Sequence, residues 1–208
     1  MELVEELRKP AKMVIGVLTG NGPTEFRVLR VVAKKYNGSE KVLYFPRRPG
    51  YHPGSGLSVL KVTKIHVDKY NIKKFLCLID KEHISTKAAV ERKIEEKLRE
   101  FGVEVNNIQK LPANGEKALR IEGTIGSHNF VLLVAITGRI KYIEEDIAKL
   151  IGIKIEEAEV EPTKNGVAKA LKKHNIDLEQ LVKNANIGEL KESFPALNSA
   201  LKRLESDN

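Results

Sequence analysis

Three short apolar runs constrain this chain more than anything else in it: KMVIGVLT at Lys12 to Thr19, FLCLI at Phe75 to Ile79 and FVLLVAIT at Phe130 to Thr137. Each is bounded by polar or glycine residues and falls far short of the roughly 20 apolar residues that a membrane span needs. A run that is apolar on consecutive positions is covered on both faces, as in the interior of a sheet flanked by helices. Amphipathic stretches lie between the runs. Phe26, Leu29, Val32 and Ala33 recur at helical spacing, with Pro23 suited to the first turn and Asn37-Gly38 to the stop. Val90, Ile94, Leu98 and Phe101 line one side of a second helix, capped by Ser85 or Thr86 and closed by Gly102. Lys41 to Phe45 (KVLYF) reads as a strand. Leu57 to Val67, where apolar and polar residues alternate, reads as an exposed or edge strand. Ala118 to Ile125 pairs with the third run as a hairpin across Gly126 to Asn129, and Ile143 to Ile151 starts another helix.

From Pro162 onward no strand pattern survives, and VAKALKKH, LEQLVKN and ALNSALKRL are amphipathic helical pieces. The expected fold is α/β: a central mixed sheet flanked by helices over residues 1–161, with a small helical appendage over 162–208. A chain of 208 residues can bury such a core without disulfides or metals. The single cysteine, Cys77, sits inside FLCLI and reads as a core residue. The opening residues MELVEELRKP carry acids where a signal peptide has a basic region, so a cytoplasmic location is expected. Abundant Lys, Glu and Ile without Trp lean toward a thermophilic composition. Self-association into a homo-oligomer is left open.

The formal net charge is +8, and much of it is concentrated. Arg27, Arg30, Lys34, Lys35, Lys41, Arg47 and Arg48 face only Glu40 across residues 27–52. A surface of this kind attracts polyanions by counterion release, which points to nucleic acid; a solvated cationic face is the other reading.

Chemistry is concentrated in three places. In LTGNGPTEF, Leu18 to Phe26, a Walker loop is excluded because no Gly-Lys-Ser/Thr follows, and a dinucleotide fingerprint would need glycine where Glu25 stands. Gly22 as N-cap, Pro23 at the first position and Glu25 at the third is the purely structural alternative. In LIDKEH, Asp80 and Glu82 leave a strand two residues apart, so their side chains would share a face and converge on one divalent cation. A capping aspartate and a solvated glutamate is the plain alternative. In RRPGYHPGSG, Arg47 and Arg48 offer phosphate forks, and Tyr51 with His52 offers rings for bases.

The order of these pieces, NGPTEFRVL after the first run and IDKEH after the second, resembles the Toprim fold of the overcoming-lysogenization-defect nuclease group. The resemblance spans residues 12 to 110. It implies that Gly22, Thr24 and Glu25 match the family's turn and second acid, and that Asp80 and Glu82 match its metal-binding pair. The family's leading glutamate falls on Asn21, which cannot titrate. A ribonuclease-H-like arrangement would instead gather Glu25, Asp80 and one of Glu144, Glu145 or Asp146. Either way, Glu25, Asp80 and Glu82 would be catalytic, holding Mg or Mn to hydrolyse phosphodiesters. Arg27, Arg30, Lys34, Arg47, Arg48, Tyr51 and His52 would bind single-stranded or flapped nucleic acid. The alternative is a non-catalytic nucleic-acid-binding or regulatory module with a degenerate site.

Overall fold

The computed structural model describes residues 1–7, 13–20, 22–36, 38, 40–45, 55–84, 89–114, 117–155 and 159–207. Seven strands form one mixed sheet: β1 (Glu2–Val4), β2 (Met13–Thr19), β3 (Lys41–Tyr44), β4 (Lys74–Asp80), β5 (Glu104–Leu111), β6 (Lys117–Ile125) and β7 (His128–Thr137). Their order is β1-β3-β2-β4-β7-β6-β5. The pairs from β1 through β7 are parallel, and β6 and β5 add an antiparallel edge. The three apolar runs are therefore β2, β4 and β7, which occupy adjacent positions where both faces are covered.

Eight helices cover the two faces among the described residues. They are α1 (Pro23–Val32), α2 (Lys61–Tyr70), α3 (Val90–Glu100), α4 (Ile143–Lys154), α5 (Lys164–Lys173), α6 (Leu178–Asn184), α7 (Ile187–Ser193) and α8 (Pro195–Ser206). Alternation along β4 assigns them. Leu76 and Leu78 join a core built with α1 and α4 to α8, whereas Phe75, Cys77 and Ile79 join the core under α2 and α3. Helices α5 to α8 thus follow one another between residues 164 and 206, and they share the first of these cores with the sheet.

Two expectations are corrected. Leu57 to Val67 is no strand but a 3-10 turn, Gly56–Leu60, running into α2. Among its buried positions Leu60, Thr63, His66 and Val67 follow helical spacing, and two of these four are polar, which hid the stripe. Gly16 of β2 makes room for the neighbouring Phe75 ring, which a Cβ there would approach to 2.6 Å, while the same Cβ would meet the His66 ring at an ordinary 3.4 Å. The second correction concerns α3, whose N-cap is Ala89; Ser85 and Thr86 lie outside the described residues. Strand β5, half exposed at the sheet edge, carries no apolar run that would have announced it.

Candidate functional site at the carboxyl edge of the sheet

The chain leaves β2 for β3 on one side and leaves β4 for β5 at the far edge on the other, so the carboxyl ends of β2 and β4 flank a topological switch point, where open α/β sheets place ligand crevices. Here, among the described residues, backbone bonds cross this edge. Gly20 N donates to Leu78 O at 2.9 Å, and Gly56 N donates to Gly20 O at 2.7 Å. Gly56, at φ 56°, lies against the His83 ring, which a Cβ would approach to 2.9 Å. His83 is thereby half-buried packing, with its Nε2 3.5 Å from Glu82 Oε1.

Asp80 ends β4 and is 3% exposed. Its Oδ1 accepts the Thr137 hydroxyl at 2.7 Å and the Ile143 N–H at 3.0 Å. Thr137 is its register partner on β7, and Ile143 opens α4, so one carboxylate oxygen ties three elements together. Burial raises its pKa above the ordinary aspartate value; the two hydrogen bonds and His83 oppose this, and the charge of Glu144 adds to it.

The strand ends at Asp80 and Lys81–His83 forms a 3-10 turn, so strand alternation does not place Glu82 beside Asp80. Glu82 is exposed and hydrogen-bonded to Tyr142, whose hydroxyl pKa it raises through its negative charge. Glu25 is 2% exposed in the first turn of α1, after Gly22 as N-cap and Pro23, as the helix-start pattern predicts. Among the described residues no three His, Cys, Asp or Glu side chains are grouped so that they could hold a metal ion.

The acids of YIEED hold the β7 to α4 loop. Glu145 accepts the N–H groups of Ile140 at 2.6 Å, Lys141 at 2.8 Å and Tyr142 at 3.3 Å. Buried Asp146 accepts Gly138 N at 3.0 Å. This frame pushes Arg139, Ile140 and Lys141 outward, with Ile140 73% exposed, and Lys81 Nζ bonds Arg139 O. Sequence reasoning passed over these residues; the alternation of cation and isoleucine in GRIKY was the available signal.

Comparison with protein-family models, curated proteins and solved structures found no match.

The basic stretch is largely engaged inside the chain. Arg27 Nη2 lies 3.0 Å from Asp177 and its Nε 3.4 Å from Glu179, and Arg30 Nη2 also pairs with Glu179. Lys35 Nζ donates to Lys183 O at 2.7 Å, and Lys41 Nζ donates to Leu204 O, Glu205 O and Asp207 O at 2.6, 2.9 and 2.7 Å. Lys34 is exposed. Arg47, Arg48, Tyr51, His52 and Asn21 lie outside the described residues.

Proposed function

We propose that this chain is a nucleic-acid-binding module of regulatory type, with the acid pattern of a Toprim-like site but without a hydrolytic metal centre. One observation carries the reading: Asp80 Oδ1 accepts both the Thr137 hydroxyl and the Ile143 N–H, and so this carboxylate fastens β4 and β7 to α4. The partner class follows from the net charge of +8 together with exposed Lys81, Arg139 and Lys141 beside that edge. Cations spaced along a surface neutralise phosphates and release their counterions, which gives affinity without sequence preference.

A second reading, Mg- or Mn-dependent phosphodiester hydrolysis, draws on the burial of two carboxylates, Glu25 and Asp80, in elements that end or begin at the carboxyl edge. One experiment separates the readings. A labelled single-stranded oligonucleotide is incubated with the protein in Mn, with and without a chelator, and followed by anisotropy and by gel. Salt-dependent binding without cleavage is expected. Cleavage that the chelator abolishes would replace the binding module with the hydrolase. A variant Asn21→Glu that acquires such cleavage would show that the scaffold had lost a single acid.

A further inference from the structure

A cavity of about 420 Å³ opens beside α1, lined by Gly22, Phe26, Arg27, Arg30, Phe45 and Glu179. It combines two chemistries. The Phe26 and Phe45 rings lie 5.1 Å apart at 54°, and the Arg30 guanidinium covers Phe26 at 5.9 Å from its centroid. Phe26 is buried and Phe45 half-buried, so Phe45 presents the accessible ring. Arg27 and Arg30, one turn apart on α1, are 41% and 42% exposed at their side chains and meet Asp177 and Glu179, which stand at the start of α6. Two guanidiniums that each hold a carboxylate offer forks that suit phosphate oxygens equally well.

We infer that this cavity is the nucleotide subsite of the module: a base of single-stranded nucleic acid stacks on Phe45, and the flanking phosphates take Arg27 and Arg30 from Asp177 and Glu179. The inference rests on the nucleic-acid reading above and gives it a location. The exchange costs little, because exposed ion pairs hold weakly and are screened by salt. A planar guanidinium engages phosphate at least as well as carboxylate, and the adjacent ring adds stacking that no acidic side chain supplies. Until a strand arrives, the acids of α6 keep the guanidiniums in place and lower nonspecific attraction to other anions.

The test is a cycle of variants measured by anisotropy on a labelled oligonucleotide over a range of salt. Asp177→Asn with Glu179→Gln keeps shape, and asparagine retains the N-cap that Asp177 gives to Glu179 N and Gln180 N. This pair should tighten binding about tenfold and steepen the salt slope by about 1.4 units, from two released cations at roughly 0.7 each. The gain should vanish in an Arg27→Ala, Arg30→Ala background. It should also be absent from Glu95→Gln with Glu96→Gln on α3, which changes the charge equally elsewhere. Phe45→Leu should weaken binding about tenfold.

An equal gain from the α3 control, or a gain that survives loss of both arginines, overturns the subsite. So does an equal gain for poly-glutamate in place of the oligonucleotide. Wild-type binding that ignores all of these changes overturns the subsite and leaves the nucleic-acid reading standing. Absence of binding by every variant removes both.

Discussion

Replacing Asp80 with alanine and with asparagine distinguishes a structural from a chemical role for that acid. In Asp80→Ala the Thr137 hydroxyl and the Ile143 N–H both lose the oxygen they donate to, in a place that is 3% exposed. At about 1.5 kcal/mol for each bond to an ionised acceptor, the loss is about 3 kcal/mol. In a chain of 208 residues this lowers Tm by about 6–12 °C. Asp80→Asn keeps an acceptor oxygen for both donors and escapes the cost of burying a charge, so its stability stays within about 1 kcal/mol of wild type.

Asp80 also predicts a direction with pH. Burial raises its folded pKa above the unfolded value, so the native state binds the proton more tightly than the unfolded chain does. The wild type therefore gains on Asp80→Asn as pH falls through the raised value toward about 4, and the difference levels off below the unfolded value. Urea unfolding followed by circular dichroism, repeated from about pH 7 down to about pH 4, measures both variants. Equal damage from alanine and asparagine, or an advantage of wild type that grows with rising pH, would refute the reasoning.

Lys41→Met keeps the aliphatic stem but removes the ammonium from three carbonyls at the end of α8; it should cost about 1 kcal/mol. Hydrogen exchange in the last turn of α8 should speed up about fivefold, and unchanged protection would contradict that role. Cys77 is fully buried and its thiol is pushed up to about 12 by burial, so a thiol reagent near pH 8 should label it only after unfolding. Rapid labelling of the native protein would place it outside the core.

The sequence by itself determined which segments could be central strands and where α1 begins. Continuous apolar runs survive only where both faces are covered, and a Gly-Pro pair followed by an acid suits few places besides a helix start. Those signals are local, carried by neighbours a few residues apart. The fate of Leu57 to Val67 was less legible, because the buried Thr63 and His66 interrupt its apolar stripe.

The tertiary structure alone decided how the charges are used. Arg27 and Arg30 are neutralised by acids about 150 positions away, and Lys41 caps a helix at the far end of the chain. Asp80 looks like a metal ligand at a strand end until β7 and α4 bring Thr137 and Ile143 to its oxygen. A carboxylate or a guanidinium has the same formula whether it meets a cation, a phosphate or its own backbone. Its partner is set by which elements the sheet order brings to one edge, and that order is a property of the whole fold.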